Sequence, residues 1–428
     1  MKSKINLLLA LVLLCSYQLI AQNPVPNPPQ SQKMAIVGAT LHLGNGEVIE
    51  NGQVLFSDGK IESVSNTSTD TPSGYEIVDG SGKHVYPGLI ALLSGLGLTE
   101  IGAVRATRDG RETGLLNPNV RALIAFNTDS QIIPTVRSRG IMLAQIVPSG
   151  GRISGKSSVV EMDGWNWEDA VRRADEGVHI NWPRLTTFNW RERTYKANEK
   201  YEEQVTALKN FLKQAAAYCT DGRVGETQLK LAAMCEAMKG EATLYIHTGY
   251  ARSIQEAVLA MKELGVKPVI AGGYESFMIT DFLKQEDISV ILYSTQSLPE
   301  EEDDDVDQPF KTPAQLAEAG VDFALSHGNN WDQRNIPFTV GTAVAYGLPY
   351  ERAIQSITLN AAKILGIDET YGSLEAGKSA TLIVVDGDVL DMRTSEVEMA
   401  FIDGRKVDLD NKQAELERKF REKYRRGE

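Results

Sequence analysis

The sequence predicts an α/β protein: a (β/α)8, TIM-like barrel with a composite β-sandwich formed by the N- and C-terminal segments. Three observations carry this expectation. Residues 34–86 read as short strands punctuated by turns. From Pro87 onward, apolar β-type runs alternate with amphipathic helical runs. Residues 372–407 return to short strands. Alternation sustained over about 270 residues calls for a parallel sheet covered by helices. The β segments at the two ends then fold together, beside the barrel.

At the N-terminus, Met1-Lys2-Ser3-Lys4 is a short basic stretch, and Ile5 to Leu14 is an apolar run too short to span a bilayer. Residues 1–21 therefore read as a signal peptide, cleaved after Ala21, and 22–33 as a Pro-rich linker. Cys15 does not make a lipoprotein signal, because Leu14 stands where a small residue should precede it. The expected location is periplasmic or secreted, with no membrane insertion after cleavage.

In 34–86, Ala39–Leu43 precedes Asn45-Gly46 and Gln53–Phe56 precedes Asp58-Gly59, which are hairpin signals. Ile61–Val64 and Glu76–Val78 are further strands. The barrel is assigned to 87–357, with strands at Ile141–Val147, Thr243–Ile246, Pro268–Ala271, Ser289–Tyr293 and Asp322–Leu325. Ser253 reads as the N-cap of a helix to Leu264, with Glu256 three residues on. Residues 358–371 form a connecting helix. In 372–407, turns fall at Asp386-Gly387 and Asp403-Gly404, and 408–428 is a charged amphipathic helix.

The chain carries 44 Lys+Arg against 57 Asp+Glu, a formal charge of −13. Removing the signal segment takes away Lys2 and Lys4 and leaves −15. Such a chain repels phosphate backbones, so no nucleic-acid partner is expected. Cys219 and Cys235 remain after cleavage. In an oxidising compartment they either pair or stay as two small buried hydrophobes.

Two motifs carry a family resemblance. Asp79-Gly80-Ser81-Gly82-Lys83-His84-Val85-Tyr86-Pro87-Gly88-Leu89-Ile90 resembles the entry into the amidohydrolase barrel. Thr358-Leu359-Asn360-Ala361-Ala362-Lys363-Ile364-Leu365-Gly366 and Gly372-Ser373-Leu374-Glu375-Ala376-Gly377-Lys378 resemble its exit. The resemblance is nearest to imidazolonepropionase-like members and covers nearly all of 34–407. It implies a hydrolase of amide or cyclic-amide C–N bonds with one or two zinc ions at the C-terminal mouth of the barrel. There a metal lowers the pKa of bound water to about 7 and polarises the carbonyl.

The ligand positions implied by the resemblance are mostly replaced. After Pro87-Gly88-Leu89-Ile90 the expected Asp is Ala91, and the His-x-His positions are Leu93 and Gly95. Strand five keeps its ligand in Leu244-Tyr245-Ile246-His247. Strand six has Gly272 where His belongs, and strand eight has Gly328 where Asp belongs. Gly177–Asn181 aligns with strand four, placing His179 near a Lys position. His247, His179 and His327 are the metal-ligand candidates. The cofactor expectation is none, or one weakly held zinc.

Other features carry less. Gly150-Gly151-Arg152-Ile153-Ser154-Gly155-Lys156-Ser157 matches the phosphate-loop pattern, but Ser158–Gly164 reads as a strand ending in a turn, whereas phosphate binding there needs a helix N-terminus. Glu100, Asp109 and Glu112 are substitute acids or caps. Glu300–Asp307 holds seven acids in eight positions, and reads as a solvated loop. Four of the five tryptophans fall between Trp165 and Trp190, as an aromatic wall or a packed insertion. Trp331, Arg334 and Asn335, just after strand eight, are the substrate-binding candidates, with Arg suited to a carboxylate. No catalytic residue is assigned. Two readings remain: an exported hydrolase working through a reduced site around His247, or a non-catalytic ligand binder or partner subunit. A small molecule, and a second copy or an active relative in a homo- or hetero-oligomer, are the partners these readings call for.

Overall fold

The computed structural model describes residues 25–67, 73–220, 226–300 and 303–425. The signal segment 1–21 lies outside the described residues, as do Glu301 and Glu302 of the acidic run. Among the described residues no helix is long and apolar enough to cross a membrane.

Five strands precede the barrel: β1 (Lys33–His42), β2 (Val48–Ser57), β3 (Lys60–Asn66), β4 (Tyr75–Asp79) and β5 (His84–Pro87). The barrel strands are β6 (Leu89–Ser94), β7 (Ile141–Ile146), β8 (Ile153–Glu161) and β9 (Val171–Asn181), then, beyond a separate hairpin of β10 (Thr186–Asn189) and β11 (Thr194–Ala197), β12 (Thr243–Thr248), β13 (Pro268–Gly272), β14 (Val290–Leu292) and β15 (Phe323–Leu325). After the barrel come β16 (Leu382–Asp386), β17 (Glu396–Ile402) and β18 (Arg405–Lys406).

The outer strands form one eight-stranded sheet in the order β18-β17-β16-β5-β1-β2-β3, with β4 beside β1. β16 pairs with β5, which joins the two ends of the chain. The sheet curls on itself. Phe56 of β2 and Phe401 of β17 lie four strands apart in the order, yet their ring centroids are 5.2 Å apart. A flat sheet would hold them about 19 Å apart at ordinary strand spacing. The curl encloses an apolar core that includes Ile36, Val54, Phe56, Val85, Leu382, Val384 and Phe401.

The second eight-stranded sheet runs β15-β14-β13-β12-β9-β8-β7-β6 and nearly closes into a barrel. Among the described residues no ladder joins β15 to β6. The seam is held instead by the Ser326 hydroxyl donating to the Leu92 carbonyl, and by the Gly95 N–H donating to Asn330 Oδ1 at 3.1 Å. One strand departs from the predicted all-parallel pattern: β8 runs antiparallel to both β7 and β9. The cause is loop length. Only residues 147–152 connect β7 to β8, and a parallel return needs a crossover of a dozen residues or more. No helix follows the Gly150–Arg152 turn, so the phosphate-loop pattern opens a strand, in line with the sequence.

Helices cover the barrel outside, among them Tyr201–Thr220, Ala251–Lys262, Gln308–Ala319 and Ile336–Ala345. The helix expected to start at Ser253 begins at Ala251; Ser253 is buried inside it and does not cap it. Cys219 and Cys235 form a disulfide, with Cα atoms 5.3 Å apart, pinning the end of the long helix to the short helix Cys235–Met238. The curled sheet is fastened to the barrel by a buried ionic seam. Arg405 bridges Glu161 and Asp163, Arg137 also pairs with Asp163, and Arg172 pairs with Glu161.

Candidate functional site

Side chains alternate across a strand, so every second barrel residue points inward, except at irregularities such as that on β9, where Asp175 has φ +51° and Glu176 comes inward out of phase with His179. The lower layer is apolar: Ile90, Leu143, Val159, Ile291 and Ala324 pack on residues 361–371 beneath. Among these inward residues, a polar set runs from low in the barrel up to the C-terminal mouth.

The deepest of these is Glu176 on β9, fully buried. Its Oε1 accepts from Gln145 Nε2 at 2.7 Å and from the Ser157 hydroxyl, and its Oε2 accepts from the Tyr245 hydroxyl at 2.9 Å. The Tyr245 ring reaches Glu176 by crossing Gly177, where a Cβ would stand 2.2 Å from the ring. That approach requires glycine. Burial pushes the Glu176 carboxyl above its ordinary range and the Tyr245 phenol well above its own.

From Ser157 a chain of hydrogen bonds climbs to the mouth. Ser157 Oγ lies 2.8 Å from His179 Nε2, His179 Nδ1 lies 2.8 Å from His247 Nε2, and His247 Nδ1 lies 3.3 Å from the Tyr293 hydroxyl. One proton assignment satisfies the whole chain. Ser157 gives its single proton to Glu176, so it accepts from His179 Nε2–H. His179 Nδ1 then accepts from His247 Nε2–H, and His247 Nδ1 accepts from Tyr293. Both imidazoles are neutral in this scheme. Their basicity agrees: burial pushes His179 well below its ordinary value, with neighbouring His247 adding to the effect, and burial pushes His247 to about 4.

Tyr293 sits just beyond β14; the residue is 40% exposed, while burial of its phenol pushes it up to about 12, so the chain ends at the mouth in a protonated hydroxyl. Its ring also fills space. A Cβ on Gly272 would meet the ring at 3.5 Å, and a Cβ on Gly328 would meet it at 3.9 Å. Asn330 does the same over Gly95, where a Cβ would stand 2.8 Å from its Oδ1. Tyr293 thus lies within ordinary contact reach of positions 272 and 328, and Asn330 packs closely over Gly95.

Of the three histidines proposed as ligands, two meet and one does not join them. His179 is a fully buried strand residue. His327 lies half-buried after β15, its Nδ1 without a hydrogen-bond partner. Among the described residues no group of three His, Cys, Asp or Glu side chains converges to hold a metal. The donor chemistry agrees, since both nitrogens of His179 and both of His247 are engaged in the chain. A tetrahedral zinc site needs three or four protein ligands, and these residues do not fit one.

The substrate-binding candidates lie on the short helical turn Trp331–Asn335, beside the mouth. Arg334 folds back, its guanidinium 5.7 Å from the Trp331 ring centroid and its Nη1 donating to the Trp331 carbonyl at 2.8 Å. Asn335 is half-buried at the start of the next helix. The tryptophans of 165–190 form no single wall: Trp182 is buried against Tyr201, while Trp165 and Trp190 are exposed. Glu100 accepts from Asn127 and Ser130 and braces a loop. Sequence reasoning missed Glu176, Ser157, Gln145 and Tyr293. The alternation of Ile291 with Tyr293 at a strand end was the one available signal.

Residues 142–407 match the model of the amidohydrolase family. This chain belongs to that family. An amidohydrolase from Thermotoga maritima MSB8 is similar in structure, with a TM-score of 0.77 and 26% identity over 88% of this chain and 99% of that one. An imidazolonepropionase from Picrophilus torridus is 46% identical over 55 residues, a match spanning 13% of this chain and 14% of that relative. An adenosine deaminase from Xanthomonas campestris, solved with bound zinc, shares the fold at a TM-score of 0.54 and 16% identity, over 93% of this chain and 100% of that one. Within this amidohydrolase barrel, the polar chain starts at Glu176, low in the interior beside the start of β12, and its His247–Tyr293 end reaches the face where barrel enzymes place their sites.

Proposed function

We propose that this chain is an exported amidohydrolase-fold protein whose mouth has lost the metal-ligand set, and that it acts by binding, either of a small molecule or of a partner chain. One observation carries the reading: Gly272 and Gly328, the two positions where the family resemblance calls for His and Asp, carry no side chain, and the Tyr293 ring is what stands beside them. The hydrogen-bonded state of His179 and His247 supports it, because neither ring keeps a free lone pair. The curled terminal sheet is read as the composite β-sandwich of the family, and residues 1–21 as the export signal.

A second reading, hydrolysis of an amide or cyclic-amide C–N bond at the reduced site, is favoured by the relay itself. A proton delivered at Tyr293 can pass through His247 and His179 toward Glu176, which is what acid–base chemistry at a mouth would use. The test is elemental analysis of the purified mature protein, with hydrolysis assays on amides and cyclic amides before and after chelation. Substoichiometric metal and no hydrolysis are expected. Chelator-insensitive hydrolysis lost in His247→Asn would favour the second reading. Two zinc ions per chain, lost together with hydrolysis on chelation, would overturn both.

A further inference from the structure

The hairpin β10–β11 is the least supported element of the fold. It forms a two-stranded sheet of its own, joined to neither eight-stranded sheet, and an isolated hairpin is marginal in water. It nonetheless holds an aromatic cluster. Phe188 packs at 4.9 Å on Trp190 and at 5.0 Å on Tyr195, and Trp190 and Tyr195 are 84% and 72% exposed. Tryptophan, tyrosine and arginine are the residues that dominate protein interfaces. Arginine is here too: Arg184, Arg191, Arg193, Lys196 and Lys200 stand in 184–200 against Glu192 and Glu199 alone, in a chain whose overall charge is −13.

The complement to this surface lies on the same end of the barrel. β9 leads into the hairpin and β14 leads into the acidic loop. These strands share one direction, so both loops leave the C-terminal face. Past β14, Leu298 is 84% exposed and Val306 77% exposed, and Val306 stands among Asp303, Asp304, Asp305 and Asp307. Lys311 bridges Asp305 and Asp307, and Tyr274 donates to Asp304, so the loop gathers four aspartates within five positions.

We propose that this face docks a second copy of the same chain, the basic aromatic hairpin of each copy seated on the acidic, apolar loop of the other. A twofold interface requires a patch to be self-complementary, with each contact made twice. One face carrying both a cationic aromatic element and an anionic apolar one meets that requirement. The proposal does not depend on whether the mouth holds metal.

The test is the mass of the full mature chain in solution, by light scattering and sedimentation across a concentration series. Wild type is expected to be a dimer. Trp190→Ala is expected to weaken association by more than about tenfold, the loss typical of an interface anchor. Arg191→Glu with Arg193→Glu is expected to be monomeric, as is Asp303→Lys with Asp305→Lys. Mixing these two double variants is expected to restore a dimer, because each reversed hairpin then meets a reversed loop. Circular dichroism of each variant shows that the fold is intact. A monomeric wild type would overturn the proposal and leave the face to an unrelated acidic partner. Dimers that survive both reversals, or monomeric double variants that fail to associate when mixed, would overturn it equally.

Discussion

The Tyr293 hydroxyl lies 3.3 Å from His247 Nδ1, and this contact joins the two changes that set the barrel mouth apart. Tyr293 lies beside Gly272 and Gly328, and it ends the hydrogen-bonded chain that engages His247. A side chain that bonds His247 Nδ1 leaves neither nitrogen of that ring unpaired. Buried polar groups are costly only when unpaired.

Acid should unfold the protein through its histidines. His247 is neutral in the fold, with a pKa near 4 against 6.5 when free, and His179 is shifted the same way. The unfolded chain takes up protons below pH 6.5 that the folded chain refuses. Their contribution is therefore complete above 6.5 and is lost as the pH falls from 6.5 toward 4. For His247 the loss reaches at most about 3 kcal/mol. Denaturant melts between neutral pH and the acid limb should show this slope, shallower in His247→Asn. An unchanged slope in that variant would contradict the assignment.

Ser157→Ala removes the hydroxyl that accepts from His179 and donates to Glu176. It leaves a buried donor and a buried acceptor each short of a partner. A loss of about 1–3 kcal/mol in unfolding free energy is expected. Gly272→His is expected to destabilise the fold as well. The backbone there has φ +109°, a conformation side chains rarely adopt, and the new Cβ would crowd the Thr248 carbonyl at 2.9 Å. Added zinc should not raise the melting temperature of wild type, which differential scanning fluorimetry checks directly.

Arg405→Ala should cost about 3–5 kcal/mol, because Glu161 and Asp163 keep their burial and lose a shared cation. Glu161 is already pushed up to about 7 by burial, against the pull of Arg172 and Arg405. Removing one of them should raise it further. The variant should therefore regain part of its stability as the pH is lowered through that range, when Glu161 becomes neutral. A urea melt at two pH values tests both statements.

Reducing the Cys219–Cys235 disulfide opens a loop of 16 residues. Closing a loop of that size stabilises by about 3 kcal/mol in the chain-entropy account. The paired Ala variant should therefore melt earlier than wild type without reductant and equal it with reductant present.

The sequence by itself determined the class of the fold and the family. Alternating apolar strands and amphipathic helices encode burial by local periodicity, and motifs such as Asp79–Ile90 and Gly372–Lys378 are contiguous. The residues at the positions where the resemblance calls for ligands, Leu93, Gly95, Gly272 and Gly328, were equally legible, since residue identity is visible in one dimension. The reversed direction of β8 was also within reach, because Pro148-Ser149-Gly150-Gly151 is too short a link for a crossover. Only the tertiary structure decided what replaced the ligands. Tyr293 reaches His247 across 46 positions and His179 meets His247 across 68, and no local pattern specifies such pairs. Their meeting depends on strand register and on the barrel's closing, which bring four strands' inward residues within hydrogen-bond reach. Packing of the helix Tyr201–Thr220 on the short helix Cys235–Met238 settled the cysteine pairing, and the β10–β11 hairpin was left outside both sheets, its aromatic cluster exposed.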